Sequence, residues 1–189
     1  MSILILFASL ALWGYVHSLL ASYVAKRRLN FGSWYRFAYN VFSVLTFAPI
    51  LYLMRTLPDR GIYQVPSPWN VLMFGGQLLA ILILLVAVRQ TDVLSFLGFR
   101  QLSEGEQPAK LITHGLYRWV RHPLYTGILL FMWLTPTMTQ NILTVYLGLT
   151  IYILIGAYFE EKKLLREFEG YAEYKRKTPM LIPGPRKII

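Results

Sequence analysis

The chain has 189 residues, of which 56% are hydrophobic and 15% charged, and its formal net charge is +10. Apolar residues in such long blocks exclude most soluble classes and indicate an integral membrane protein. Basic cytoplasmic loops account for the positive charge, so we expect no nucleic-acid partner. The absence of cysteine excludes disulfides and cysteine-based metal sites.

Three apolar segments occupy the first part of the chain, at residues 3–24, 34–54 and 69–88. Each is long enough to cross a bilayer. The first segment has no basic region before its apolar run, which favours a retained helix over a cleaved signal peptide. His17 in this segment has two interpretations. It belongs to a functional site, or it is a structural histidine bonded to a helix backbone or a neighbouring tyrosine. Pro49 should kink the second segment.

A long polar connection, residues 91–113, separates these segments from two further apolar segments at 123–136 and 141–159. Residues 137–140 are predicted to form a tight turn, so the fourth and fifth segments should form an antiparallel hairpin. The fourth segment is too short to span a bilayer unless its helix begins near Tyr117.

Helical periodicity continues beyond the fifth segment and predicts an amphipathic helix along the membrane interface. Its apolar face is formed by Leu164, Leu165, Phe168, Tyr171, Ala172 and Tyr174. We therefore expect an all-α integral membrane protein with about five transmembrane helices. Residues 1–189 should form one domain, with three helices in 1–90 and the polar loop, the hairpin and the tail in 91–189.

The distribution of basic residues predicts the orientation of the chain. Seventeen of the nineteen Lys and Arg residues lie in the first and third connections and the tail. The positive-inside rule then places the N-terminus outside and the C-terminus in the cytoplasm, in what we expect is a prokaryotic inner membrane.

Two polar clusters should lie on this cytoplasmic side. The first is residues 114–127, which read His-Gly-Leu-Tyr-Arg-Trp-Val-Arg-His-Pro-Leu-Tyr-Thr-Gly, and the second is Glu160-Glu161-Lys162-Lys163. Adjacent carboxylates at a membrane edge are costly unless they are paired. Their candidate partners are Arg118, Arg121 and Arg166. The pattern leaves three alternatives: interfacial anchors, a structural clamp, or a ligand site.

Signatures of several soluble enzyme classes are absent from the sequence. It contains no Gly-x-Gly-x-x-Gly fingerprint, no Walker loop and no serine-hydrolase elbow. The histidines do not form a His-Glu-x-x-His pattern, so we expect no metal.

The motif at residues 115–127, the Glu160-Glu161 pair and the Phe168…Tyr171…Tyr174…Pro179 pattern resemble the isoprenylcysteine carboxyl methyltransferase and phospholipid methyltransferase superfamily. These are integral membrane enzymes that use S-adenosyl-L-methionine. Residues 17–22, 99–102, 135–139 and 179–183 are most similar to the branch that contains the membrane methanethiol S-methyltransferases and NnrU-like proteins.

The resemblance implies roles for individual residues. It places the cofactor against Leu111, Ile112, Tyr117, His122, Pro123, Leu124, Tyr125 and Glu160, and it places Arg166 near the active site. The carboxylate of the cofactor adds Arg118 or Arg121 as its partner. We therefore expect catalytic roles for Glu160, Arg166 and Arg121. One position departs from the prenylcysteine enzymes, which carry a substrate-binding arginine where this chain has Gly156. That departure weakens a carboxyl-methylating interpretation, since arginine is suited to gripping a carboxylate.

The expected activity is methylation of a small thiol such as methanethiol. The expected partners are the lipid bilayer and a small lipophilic methyl acceptor. Four alternatives remain open: isoprenylcysteine carboxyl O-methylation, phospholipid N-methylation, a non-enzymatic NnrU-like role, and a reductase related to the sterol reductases.

Overall fold

The structure is a computed structural model that describes residues 1–104 and 110–184, and it is predominantly helical. The α-helices are α1 Ser2–Ala21, α2 Tyr23–Leu29, α3 Tyr35–Thr56, α4 Trp69–Gln90, α5 Val93–Leu97, α6 Phe99–Glu104, α7 Pro123–Trp133, α8 Gln140–Glu167 and α9 Tyr171–Lys177. Two 3-10 turns, Gly32–Trp34 and Gly115–Arg118, and two strands, β1 Gly61–Gln64 and β2 Thr137–Thr139, complete the described elements.

In the described part of the chain, four apolar helices are long enough to cross a membrane, which supports an integral membrane protein. They are Ser2–Ala21, Gly32–Thr56, Trp69–Gln90 and Gln140–Glu167. They correspond to the first, second, third and fifth predicted segments. The fourth segment is shorter: α7 has 11 residues. It rises about 16 Å, about half of a hydrocarbon core.

The helix of the fourth segment begins at Pro123 rather than near Tyr117. The predicted tight turn at residues 137–140 is also wrong. Thr137–Thr139 forms strand β2, which pairs antiparallel with β1. Its two threonines are β-branched and favour extended backbone. The first turn of α8 then follows directly, with the Asn141 amide donating to the Asp59 carboxylate over 3.0 Å.

The described residues form two compact units. The first contains residues 1–64, 93–104 and 137–149. Its core contains Leu6 and Leu10 from α1, Ile50 from α3 and Val145 from α8, and all four side chains are buried. Packing between helices therefore buries these four apolar side chains.

His17 lies in this first unit and has a structural environment. Its imidazole is 2.7 Å from the Tyr39 hydroxyl, measured at Nε2, and it lies 4.8 Å from the Trp13 ring. A tyrosine partner was one of the two alternatives that the sequence left for this histidine.

The second unit contains residues 65–92, 110–136 and 150–184. Helices α4 and α7 approach each other closely at Gly127. A Cβ atom at Gly127 would lie 2.8 Å from Cγ of Leu84 and 3.3 Å from the carbonyl oxygen of Ala80. The close approach of these helices therefore requires glycine, as at many helix crossings in membranes.

Residues 116–134 run antiparallel along α4. The Gln90 side chain accepts from the Leu116 amide, and the Gln77 side chain donates to the Phe131 carbonyl. A Cβ atom at Gly76 would meet Leu134. The segment therefore follows about 21 Å of α4, since an α-helix rises about 1.5 Å per residue.

The C-terminal region of the same unit is helical in two pieces. Helix α8 continues beyond the predicted end of the fifth segment to Glu167. The chain turns at Gly170, whose φ is +86°, and α9 follows as a separate short helix. The predicted amphipathic extension is thus divided between the end of α8 and α9.

Candidate functional site

The site begins with the loop that leads into α7. Gly115 has a φ of +61°, and a Cβ there would lie 2.0 Å from the Gln90 side chain. Only glycine fits this left-handed and crowded position. The Gln90 carboxamide then accepts from the Leu116 amide over 3.0 Å, which ties the 3-10 turn to the end of α4.

His122 and Pro123 form the start of α7. Pro123 occupies the first helical turn, where a missing N–H costs nothing because that donor has no partner inside a helix. His122 is the preceding residue and is only 6% exposed. Its ring stacks on Tyr125 with the centroids 5.3 Å apart. The proline therefore fixes the backbone that presents this imidazole.

Helix α8 lies antiparallel to α7 within this unit. Trp133 donates to the Thr150 hydroxyl, the Tyr125 hydroxyl donates to the Glu160 carboxylate, and His122 lies 3.3 Å from Glu161. Residues later in α7 therefore contact residues earlier in α8, which is the pattern of an antiparallel pair. The two polar clusters of the sequence are consequently in contact.

Glu161 is the buried centre of this contact, with a side chain that is 6% exposed. Its Oε1 accepts from Nε of Arg121 over 2.7 Å and lies 2.5 Å from Nη2 of the same guanidinium. Its Oε2 lies 2.8 Å from Nζ of Lys175. Glu161 is therefore a fully paired buried carboxylate, as its burial requires.

Glu160 has a different environment although it is the adjacent residue. Its side chain is 44% exposed, and its Oε2 accepts from the Tyr125 hydroxyl over 2.9 Å. Nδ1 of His122 lies 3.8 Å from the same oxygen. Within the described residues, Oε1 of Glu160 has no partner. This carboxylate is therefore open to a ligand.

The C-terminal segment lies across the start of α7. The backbone amides of Arg121 and His122 donate to the carbonyls of Pro179 and Met180 over 2.9 and 3.1 Å. The Thr126 hydroxyl donates to the Leu181 carbonyl over 2.7 Å. The segment 178–181, which we call the strap, thus satisfies polar groups at the N-terminus of α7.

Tyr171 lies beside the carboxylates and remains protonated at physiological pH. Burial, reinforced by the nearby Glu161, raises the pKa of Tyr171 to about 12. This phenol is therefore not suited to act as a base.

The remaining predicted site residues are distributed around this cluster. Arg118 is exposed and makes no hydrogen bond or ion pair within the described parts of the chain. Arg166 is exposed, and its Nε donates to the Lys162 carbonyl one turn earlier. Leu111, Ile112 and Leu124 are half-buried.

Sequence reasoning missed Lys175 and Thr178 as members of the cluster. The Arg121 guanidinium donates to the backbone carbonyls of both residues at the end of α9. These partners lie 54 and 57 positions from Arg121, and no spacing rule connects them. Only the fold reveals that the Arg121 guanidinium is engaged by Glu161 and by these two backbone carbonyls.

Comparison with known proteins adds a family assignment and several relatives. Residues 70–170 match the family model described as phospholipid methyltransferase. A methanethiol S-methyltransferase from a Pseudomonas species is 32% identical over 184 residues, covering 86% of this chain and 68% of the relative. Methanethiol S-methyltransferase 2 of Bradyrhizobium diazoefficiens is 33% identical over 154 residues, covering 78% of this chain and 59% of the relative.

A more distant match is a probable protein-S-isoprenylcysteine O-methyltransferase of Oryza sativa subsp. indica. It is 39% identical over 82 residues, covering 41% of this chain and 43% of the relative. The chain spans less than two thirds of the length of several curated relatives that it matches. No solved structure matches it.

Proposed function

The chain belongs to the phospholipid methyltransferase family, and from this premise we propose that it is an integral membrane methyltransferase that uses S-adenosyl-L-methionine. The observation that carries the proposal is the open carboxylate of Glu160 beside the His122–Pro123 turn. The proposed reaction is methylation of a small thiol such as methanethiol.

The chemistry of the exposed groups fits this methyl donor. S-adenosyl-L-methionine carries an α-ammonium and an α-carboxylate, and it supplies an electrophilic methyl group on a sulfonium. Among the residues that the structure describes, Oε1 of Glu160 has no partner and can accept the ammonium, and the Arg118 guanidinium has no partner and can bind the carboxylate. Arg121 was an alternative carboxylate ligand, but its guanidinium bonds Glu161 and the end of α9. We therefore assign Arg121 a structural role in this site.

The adenosine portion requires apolar and aromatic surfaces. The predicted lining consists of Leu111, Ile112, Tyr117, His122, Pro123, Leu124 and Tyr125. The stacked His122 and Tyr125 rings supply flat surfaces beside Glu160. Most drug-sized ligand sites combine such surfaces with a few charged groups.

The residues act mainly through alignment, because methyl transfer is an in-line displacement. A thiol reacts as its thiolate, and a neighbouring cation such as Arg166 would favour that form. A dry site would strip water from this anion and increase its reactivity. The acceptor gains the methyl group and leaves as a thioether, its thiol proton is released to solvent, and the demethylated donor would leave as S-adenosylhomocysteine.

Two observations favour a thiol over a carboxylate acceptor. The relatives that match most of this chain are named methanethiol S-methyltransferases. Gly156 faces open space, and it occupies the position where prenylcysteine enzymes carry an arginine. The rice relative keeps carboxyl O-methylation as a second candidate function.

We propose that the fourth segment crosses the membrane together with the loop before it. Residues 116–134 follow α4 from Gln90 to Gly76, so α7 and the preceding turn travel along most of a spanning helix. Five crossings then place the N-terminus outside and the site at the cytoplasmic face, where the methyl donor is available.

Calorimetry of the purified protein with S-adenosylhomocysteine tests the donor site. We expect micromolar binding that Glu160→Gln abolishes. Glu167→Gln is the matched control, because Glu167 lies two turns further along α8 and is 48% exposed. Absence of binding to the unaltered protein, or equal binding by the Glu160→Gln variant, contradicts the proposal.

A further inference from the structure

The strap, residues 178–181, has no role in the site as proposed so far. Its carbonyls accept hydrogen bonds from the backbone amides of Arg121 and His122. Those amides lie in the turn that presents the His122 ring. The position of the strap therefore determines whether this turn has its hydrogen bonds satisfied.

Glu161 is the residue that anchors the strap. Its two oxygens are engaged by Arg121, His122 and Lys175. The same Arg121 guanidinium continues to the carbonyl of Thr178, the first residue of the strap. A chain of charge-assisted bonds thus runs from α8, through Arg121, to the end of α9 and into the strap.

The burial of this cluster makes it sensitive to the loss of one charge. The side chains of Arg121 and Glu161 are 8% and 6% exposed. Removing one partner leaves the other charge buried without compensation, which is far more costly than losing an exposed pair. Without Glu161, we expect the Arg121 guanidinium to lose its hydrogen bonds to the carbonyls of Lys175 and Thr178 and to become hydrated.

Glu160 and Glu161 therefore have different roles although they are adjacent in the sequence. Resting on the proposed function, we propose that Glu161 is a positioning residue which holds the strap against the His122–Pro123 turn and so shapes the donor site. Glu160 contacts the donor, whereas Glu161 acts on it only through the strap. Lys175, although 40% exposed, belongs to the anchor because it holds the second oxygen of Glu161.

Hydrogen exchange and donor binding, measured on the same purified proteins, test this division. The exchange readout is the peptide that contains the amides of Arg121 and His122. For Glu161→Gln we expect faster exchange of these amides and donor binding weakened about tenfold or more, since a broken buried ion pair costs several kcal/mol. Lys175→Gln should produce the same two changes at a smaller size, because Lys175 is partly exposed.

Two further variants separate the strap from direct contact. Glu160→Gln should abolish donor binding while the exchange of the Arg121 and His122 amides stays unchanged. Lys177→Gln is the matched control for Lys175→Gln, because it removes a charge from the same helix but breaks only an exposed pair with Glu173. It should change neither readout.

The outcomes separate this inference from the proposed function. Weaker binding in Glu161→Gln with unchanged amide exchange would make Glu161 a direct ligand and overturn the inference. Faster exchange with unchanged binding would also overturn it. Failure of the unaltered protein to bind S-adenosylhomocysteine would instead contradict the proposed function.

Discussion

At the scale of single residues, the two adjacent glutamates of α8 lie in opposite environments. Neighbouring positions on an α-helix point about 100° apart. Glu161 consequently faces Arg121 and is buried, while Glu160 faces Tyr125 and is exposed. The sequence predicted a paired acidic cluster from its position at a membrane edge. It could not assign the pairing, because the deciding partner Lys175 comes from a later helix.

The Tyr125 hydroxyl should matter through Glu160. Tyr125→Phe removes the hydroxyl that donates a hydrogen bond to the Glu160 carboxylate but keeps the ring that stacks on His122. We expect the affinity for S-adenosylhomocysteine to fall by about tenfold or less, since hydrogen bonds to charged groups are worth about 1.5–3 kcal/mol and less when exposed. Calorimetry measures this change. Tyr158→Phe, at an exposed position of α8, is the control, and an equal effect in both variants would contradict the role of Tyr125.

At the scale of elements, the long helices were predictable and their connections were not. Apolar blocks fix the helices locally, because each block must satisfy its backbone inside the membrane. The pairing of β1 with β2 depends instead on segments that are far apart in sequence, with Gly61 opposite Thr139. Helix α7 also begins later in the chain than membrane thickness required, at Pro123 rather than near Tyr117, since a proline is best placed in a first turn.

Asp59 should stabilise the start of α8 in a pH-dependent way. Burial alone raises the pKa of Asp59, but hydrogen bonds lower it overall, from the side chain of Thr139 and the amides of Asn141, Arg60 and Gln140. A lowered pKa contributes stability above the ordinary aspartate pKa, and this is lost as the pH falls through the folded-state value. Asp59→Ala should cost about 1 kcal/mol at neutral pH, the typical value of a helix cap.

Denaturant unfolding in detergent at several pH values measures this effect. The difference between the unaltered protein and Asp59→Ala should shrink below the ordinary aspartate range. Asp59→Asn keeps an acceptor and should lose less stability. A difference that stays constant down to strongly acidic pH would argue against the cap.

Gly127 should be intolerant of a side chain. Its Cβ would collide with Leu84 at 2.8 Å, so Gly127→Ala should push α7 away from α4 and destabilise the protein by about 1–3 kcal/mol, the usual cost of overpacking. Gly156→Ala is the control, since a Cβ there meets nothing within 4 Å. Thermal unfolding of both variants provides the comparison. Equal melting temperatures would contradict the close crossing.

At the scale of the whole molecule, the absence of native cysteine offers a direct test of the proposed orientation. Ile62→Cys places a thiol on the exposed strand β1, and Arg176→Cys places one on the exposed surface of α9. A membrane-impermeant maleimide should label the first variant in intact cells and the second only after permeabilisation. Labelling of Arg176→Cys in intact cells would contradict a cytoplasmic site.

The proposed reaction transfers a methyl group to a small thiol at the proposed cytoplasmic ends of α7 and α8. Purified protein should transfer tritium from methyl-labelled S-adenosyl-L-methionine to methanethiol and release volatile labelled dimethyl sulfide. A prenylcysteine analogue and an ethanolamine lipid should accept little label, and Glu160→Gln should abolish transfer to methanethiol while Glu167→Gln should not. Transfer to the prenylcysteine or the lipid but not to methanethiol, or transfer that survives in Glu160→Gln, would contradict the proposed function.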